Sequence, residues 1–234
     1  MLFRSVTLLD AITTSSVAGP VLGVFFGTFN ASTYNVTMTS SNTGFNSSGS
    51  STRTVAVGSG TWSISSSGTA WNTGTSTNLT VTGTGTISLT SASAKTFSGG
   101  GISYSGITLD NNGAGTLTIT GNNTFKDITN TYKGTGAATI NIGTLTQTVT
   151  QWTGAGESGR VLTVTGTSAS SPGTLRLSGA TKPNVDYLAI TGIRAYSLDT
   201  TWYAGANSTN NGSLGWYFEA APATSTGNFF MLFG

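Results

Sequence analysis

The chain has 234 residues, of which 36% are hydrophobic and only 7% are charged. Ordinary globular chains contain about 25% charged residues; Thr, Ser, Gly and Asn take their place here. There is no cysteine, which excludes disulfides and zinc–thiolate sites, and no histidine. The net charge is +2 and the nine basic residues are scattered, so no nucleic-acid partner is expected. Recurring Thr, Val and Ile, with 10% aromatic residues, predict short strands joined by tight turns rather than disorder.

The first segment, residues 1–30, is more hydrophobic than the rest of the chain. Asp10 interrupts its first apolar run, so a cleaved signal peptide is not expected. The second apolar run, Val21–Phe29, is too short to cross a bilayer, so no membrane insertion is predicted. These apolar side chains either cap the first structural repeat or dock onto a larger assembly. For docking, Phe25, Phe26 and Phe29 are the candidate assembly contacts.

The body, residues 31–200, repeats a short motif in which aliphatic residues alternate with Thr and a Gly follows. The clearest copies begin at Leu79, Leu117, Leu162, Leu175 and Leu188. Period-two alternation puts the aliphatic side chains on one face of a strand and the hydroxyls on the other. Motif spacings of 20, 22 and 23 residues, with others near half of that, indicate coils of two or three short strands. The predicted fold is all-β, a single-stranded right-handed parallel β-helix (β-solenoid) of seven or eight coils with apolar terminal caps. The alternative is a β-sandwich.

One stretch, Gly115–Thr131, shows the predicted unit most clearly. Leu117 and Ile119 alternate with Thr, a Gly-Asn-Asn corner follows, and a second apolar pair completes the unit. Asn recurs at such corners, where stacked amide side chains can form ladders that stiffen a repeated backbone. The sequence predicts a scaffold element here.

Carboxylates are too few to predict an enzyme. Glycoside hydrolysis needs two carboxyl groups beside a sugar groove, and the chain has seven acidic residues in all. Asp110 and Asp127 are the strongest pair, but both are expected in turns, where Asp binds its own backbone. The Asp-Asn-Asn-Gly run at Asp110 lacks the distal Glu of a calcium loop. We therefore predict no catalytic residue, no metal site and no cofactor.

The C-terminal segment, residues 201–234, has a different composition. Trp202, Tyr203, Trp216 and Tyr217 surround an Asn/Gly loop; they are predicted either to cap the last coil or to contact a glycan or protein partner. An apolar run at the end of the chain is an aggregation hazard unless this chain or a neighbour covers it. We expect this run to insert into an adjacent subunit. The further candidate assembly contacts are Phe229, Phe230, Met231, Leu232 and Phe233.

Four segments, Thr52–Asn72, Ala94–Gly100, Gly115–Tyr132 and Tyr187–Phe218, share a Gly/Ser/Thr-rich cadence. In this they resemble the β-helical structural proteins of tailed bacteriophages. The resemblance covers most of residues 30–218 and brings no catalytic residues with it. It implies a virion component such as a capsid decoration, head fibre or tail fibre.

The expected function is that of a non-enzymatic structural protein of a phage particle, with weak polyvalent adhesion to host surface glycans. Its expected partners are other virion proteins of the capsid or tail and further copies of itself, as a homo-oligomer. One alternative is a bacterial cell-surface or extracellular adhesin. The other is a polysaccharide-cleaving tailspike, which the scarcity of carboxylates disfavours.

Overall fold

The computed structural model describes residues 5–17, 19–197 and 201–222. Within these ranges the chain forms β-strands and no helix, and its strand pairings are parallel. The strands stack as a β-solenoid of about 8 turns, which confirms the predicted fold class. The β-sandwich alternative is wrong, because the sheets of a sandwich are antiparallel. The described part has no helix that is long and apolar enough to cross a membrane.

The first four coils contain three short strands each, and the later coils contain two. The strands of the first four coils are β1 (Ser5–Thr7), β2 (Ile12–Ser16), β3 (Leu22–Gly23), β4 (Gly27–Asn30), β5 (Val36–Ser40), β6 (Phe45–Asn46), β7 (Arg53–Gly58), β8 (Thr61–Ser66), β9 (Gly68–Asn72), β10 (Leu79–Gly83), β11 (Thr86–Leu89) and β12 (Lys95–Ser98). Those of the next four are β13 (Ser103–Asn111), β14 (Gly115–Thr120), β15 (Thr124–Thr129), β16 (Ala138–Gly143), β17 (Thr146–Trp152), β18 (Leu162–Gly166), β19 (Gly173–Leu177) and β20 (Leu188–Thr191). The final strands are β21 (Ile193–Tyr196), β22 (Trp202–Tyr203), β23 (Thr209–Asn211) and β24 (Trp216–Tyr217).

Three parallel sheets run along the solenoid. Sheet I has four strands in the order β1-β4-β7-β10. Sheet II has nine strands, β2-β5-β8-β11-β13-β15-β17-β19-β21, and sheet III has nine, β3-β6-β9-β12-β14-β16-β18-β20-β23. A separate pair, β22 and β24, lies at the C-terminal end.

Sheet I ends at β10, so each coil after this point has two strands instead of three. Four residue steps separate Tyr104 from Thr108 in β13, but only two separate their partners Phe125 and Asp127 in β15. The extra residues form a bulge that carries the chain past the end of sheet I. Gly106 lies in this bulge, where a Cβ atom would approach the carbonyl oxygen of Gly83 to 2.2 Å. Only glycine fits so close to the neighbouring backbone.

The predicted unit Gly115–Thr131 is confirmed as a strand, a corner and a second strand. β14 leads through Gly121, whose φ is 83°, into β15. The buried side chain of Asn123 holds this corner to both neighbouring coils. Its Oδ1 accepts a hydrogen bond from the Gly101 amide at 3.0 Å, and its Nδ2 donates to Gln147 Oε1 at 3.0 Å. The Asn123 side chain therefore ties the corner to the coils on both sides, through Gln147 and a backbone amide rather than through a ladder of stacked Asn side chains.

Aromatic side chains stack in the interior of the three-stranded coils and of the first two coils that follow them. Phe45, Trp71 and Phe97 occupy paired positions in sheet III, with ring centroids 4.1 and 5.8 Å apart. Tyr104 and Phe125 pair in sheet II, with their rings stacked at 5.3 Å. Such contacts add about 0.5–1.5 kcal/mol each beyond the burial of area. Side-chain stacking and the backbone ladder thus follow the same axis.

The N-terminal segment contributes strands to the same sheets as the body. β4 ends at Asn30 and pairs on both sides, with β1 and β7. Sheet I therefore runs through the predicted boundary between residues 30 and 31. Of the three candidate assembly contacts in this segment, Phe29 is buried in the core, whereas Phe25 and Phe26 are 43% and 47% exposed.

Two buried cations join the loops of successive coils, and neither has a carboxylate partner among the residues that the structure describes. The guanidinium of Arg53 donates to the carbonyl oxygens of Ser47, Ser51, Thr75 and Thr77 and to the Ser47 hydroxyl. Lys95 Nζ donates to the carbonyl oxygens of Ser91, Gly113 and Ala114, at 3.1, 3.3 and 2.8 Å.

Both cations are the first residue of a strand, and both are 1% exposed. They satisfy loop carbonyls that would otherwise be buried without a partner. Burial lowers the pKa of Lys95 to about 8.

The pKa of Lys95 predicts a rise of stability with pH. Between the folded pKa and the higher unfolded pKa, the unfolded chain binds more protons, so raising the pH favours the folded state. Against a Lys95→Met variant, the wild-type free energy of unfolding should rise by about 2 kcal/mol between pH 7.5 and 9.5. Urea titrations at several pH values measure it. Lys126→Met, at an exposed site on β15, is the matched control and should follow wild type. Parallel curves for wild type and Lys95→Met would contradict the prediction.

Candidate functional site

A groove lies near the C-terminal end of the solenoid, between the loops that follow β17 and β19. It consists of two adjoining cavities of about 350 and 290 Å³ that share Ala155, Asn184 and Val185. The remaining lining residues are Gln151, Trp152, Thr153, Gly156, Glu157, Thr181, Lys182, Asp186, Tyr187, Gly205 and Ala220. We call this the C-terminal groove.

Backbone hydrogen bonds between coils fix the walls of the groove. The Gly154 amide donates to the Ile128 carbonyl at 3.1 Å, and the Gly156 amide donates to the Asp186 carbonyl at 3.1 Å. On the other wall, the Val185 amide donates to the Tyr203 carbonyl at 3.1 Å. Irregular loops are therefore held in place as firmly as strands, and the groove is a built feature of the fold.

Glu157 is the acid at the rim of the groove, and it is paired with two cations. Lys133 Nζ lies 2.6 Å from Oε2, and the Arg160 guanidinium contacts Oε1. The hydrogen bond from Lys133, with the charges of both cations, lowers the pKa of Glu157. This carboxyl is thus ionised at neutral pH and is unsuited to donate a proton.

Asp186 lies in the same groove and is also held as a carboxylate. Its Oδ1 accepts from the amides of Tyr187 and Asn207 at 2.8 and 2.9 Å, and its Oδ2 accepts from Asn207 Nδ2 at 2.7 Å. Burial acts to raise the pKa of Asp186, but these hydrogen bonds, with one from Ser208, lower it. Both groove acids therefore favour the ionised form.

Asp110 and Asp127 are buried structural acceptors, and the expectation that they lie in turns is wrong. They belong to β13 and β15, and each is 4% exposed. Asp127 accepts from the amide and hydroxyl of Thr153, at 3.0 and 2.6 Å, and from Gln151. Asp110 accepts from the amide and hydroxyl of Thr131, at 3.0 and 2.7 Å, and from Ser88. Each binds a loop of the following coil rather than its own backbone.

The four aromatic candidates at the C-terminal end form a packed cluster. Trp202 pairs with Trp216 and Tyr203 with Tyr217, through β22 and β24. The Trp202 ring lies 6.3 Å from that of Trp152 on the groove floor. Trp202, Tyr203 and Trp216 are buried, whereas Tyr217 is 53% exposed. Of the four, only Tyr217 therefore presents a largely accessible ring to a glycan or partner.

A second, apolar cavity of about 190 Å³ lies at the opposite end. It is lined by Val6, Gly23, Val24, Phe25, Phe26, Thr28 and Phe29, and so collects the three N-terminal assembly candidates. The C-terminal candidates Phe229, Phe230, Met231, Leu232 and Phe233 lie outside the described residues.

Sequence reasoning missed that Glu157 and Asp186 share one groove. They come together because the loops carrying them are one coil apart, but they occupy different positions in loops of different length, so the coil spacing alone does not pair them. Among the described residues, no group of three or more acidic, His or Cys side chains could hold a metal ion. The arrangement offers amides, hydroxyls, two carboxylates and a cation on a largely apolar surface, which suits hydrogen bonding to a ligand with polar groups.

Comparisons with protein-family models, with curated proteins and with solved structures found no match to this chain.

Proposed function

We propose that this protein is a non-enzymatic structural component of a tailed-phage particle, a capsid decoration or fibre, which adheres to host surface glycans. The observation that carries the proposal is the state of the carboxylates in and beneath the groove. Glu157 is ion-paired, and Asp127 and Asp186 are hydrogen-bonded to neighbouring coils. These acidic side chains therefore serve structure and binding.

A tailspike hydrolase would need a different electrostatic arrangement. Glycoside hydrolysis uses one carboxyl group with a raised pKa as the general acid and a second as base or nucleophile. In the C-terminal groove the pKa of Glu157 and that of Asp186 are both lowered. This supports binding without cleavage.

The groove also suits a sugar ligand. Sugars are bound through hydrogen bonds to their hydroxyls and through contact with aromatic rings. Gln151, Lys182 and Asn184 line the wall and offer these hydrogen bonds, whereas the Trp152 ring beneath them is only 2% exposed. Each individual contact is weak, but simultaneous binding by many copies on one particle gives a high overall avidity.

Glycan binding by the groove is tested with purified protein on arrays of bacterial surface polysaccharides. Removing two polar wall residues, Lys182→Ala with Asn184→Ala, should weaken binding by about tenfold, since each lost hydrogen bond is worth roughly 0.5–1.5 kcal/mol. Asn42→Ala, at an exposed position near the other end, is the control and should bind like wild type. Equal binding by all three proteins would exclude the groove. Release of reducing sugar would contradict the non-enzymatic proposal.

A structural role for Asp127 predicts a stability change without a binding change. Asp127→Asn loses the charge-assisted hydrogen bonds to Thr153 and should lower the free energy of unfolding by about 1–3 kcal/mol. Denaturant titration measures the loss, and glycan binding below the transition should be unchanged. Lost binding in a variant with wild-type stability would instead place Asp127 in the ligand site.

Assembly is proposed to depend on the apolar ends of the chain. Deleting residues 223–234 should abolish the assembled form while leaving a folded monomer, seen by sedimentation together with circular dichroism. An intact assembly after deletion would contradict this role of the tail.

Location decides between a virion component and a bacterial adhesin. Mass spectrometry of purified particles that carry the gene should find the chain at a fixed copy number. Its absence from particles, together with its presence on the bacterial surface, would favour the adhesin.

A further inference from the structure

The outer face of sheet III carries a two-dimensional array of threonines. One row follows paired positions from strand to strand along the solenoid, and a second row lies two residues away on the same strands. The first row is Thr69, Thr96, Thr118, Asn141, Thr165, Thr191 and Asn211. The second row is Thr116, Thr139, Thr163, Ala189 and Thr209. We call these two rows the threonine face.

Strand geometry sets both spacings of the array. Neighbours within a row lie on adjacent strands, roughly 4.7–4.9 Å apart, and the two rows are separated by two residues, about 6.6 Å. The register is unbroken along both rows, so the spacing repeats over successive coils. The array is therefore periodic in two dimensions, as the oxygen lattice of an ice surface is.

The hydroxyls of the face are largely unused within the protein. Thr165 Oγ1 donates to the Gly166 carbonyl. Within the described ranges, by contrast, the hydroxyls of Thr96, Thr118, Thr139, Thr163 and Thr191 make no hydrogen bond. Backbone pairing fixes their Cα positions, and β-branching restricts their side-chain rotamers. They form an ordered set of hydrogen-bond donors and acceptors that is available to an external partner.

Charge distinguishes this face from that of sheet II. Among the described strands of sheet III the one charged residue is Lys95, and its side chain is buried on the inner side. Sheet II, in contrast, exposes Lys126, Arg176 and Arg194. The threonine face is therefore neutral and suits a neutral partner. It exposes no aromatic ring that could stack on a sugar.

We propose that the threonine face binds the ordered water lattice of an ice surface. The hydroxyls take positions in the lattice, and the γ-methyl groups between them restrict the water they contact. An ice plane is neutral and periodic in two dimensions, as this face is. The site lies on a different surface from the C-terminal groove, so the proposal does not depend on glycan adhesion.

Purified full-length protein tests the proposal through thermal hysteresis, inhibition of ice recrystallisation and the shape of growing ice crystals. Wild type should depress the freezing point below the melting point and produce faceted crystals. Thr118→Tyr with Thr163→Tyr projects two large rings from the face while keeping β-propensity, and should lose most of the hysteresis. The matched control is Thr37→Tyr with Thr148→Tyr, at paired positions on the outer side of sheet II, and should retain it.

Three results would overturn the proposal. One is wild-type protein that neither shapes ice nor slows recrystallisation at its highest soluble concentration. The second is an equal loss in both tyrosine variants, since the effect would not then belong to the threonine face. The third is a wild-type protein that lacks ice activity and forms an oligomer, together with a Thr118/Thr163 variant that is monomeric. The face would then be a contact between copies of the chain. Labelled wild type should bind to an ice hemisphere and the Thr118/Thr163 variant should not; equal binding by both would refute the proposal.

Discussion

The parallel backbone ladder between successive coils is the interaction on which the rest of this structure depends. Each interior strand donates and accepts hydrogen bonds on both edges, so every coil is held by the one before it and the one after it. The chain has no disulfide, and within the described part its two ion pairs share the single residue Glu157. Stability is therefore close to a sum of coil and interface contributions, as in other solenoids.

At the corners the loop amides and carbonyls leave the sheet, so they need hydrogen-bond partners other than the backbone of the neighbouring strand. Polar side chains of three chemical types supply these partners. Asn123 links amides of neighbouring coils, Asp110 and Asp127 accept from the following coil, and Arg53 and Lys95 donate to loop carbonyls. Four of the 16 charged residues thus serve the backbone.

The sequence was sufficient to predict the solenoid, because Thr-aliphatic alternation followed by Gly repeats at the coil spacing. It also placed the corner at Gly121 correctly. The buried cations were predictable too: Arg53 is in phase with Val55 and Val57, and Lys95 with Phe97, so alternation alone points them inward. The loss of sheet I was not predictable, because the bulge in β13 depends on the close approach of Gly106 to Gly83. Nor was the groove, since the loops between the short strands vary in length and hide which of their side chains meet.

The two halves of the solenoid differ in what their interior holds. Rings from Phe29 to Phe97 fill the three-sided half. Tyr104 and Phe125 continue the stack into the first two-sided coils, whereas aliphatic side chains such as Ile140, Val164 and Ile190 fill most of the remaining ones. A duplicated coil would therefore fit only beside coils of its own cross-section: a wide coil inserted among narrow ones would bring rings with no room, and the reverse would leave voids. If gene duplication lengthens this molecule, a duplicated coil must therefore stay on the same side of the bulge as the coil it was copied from.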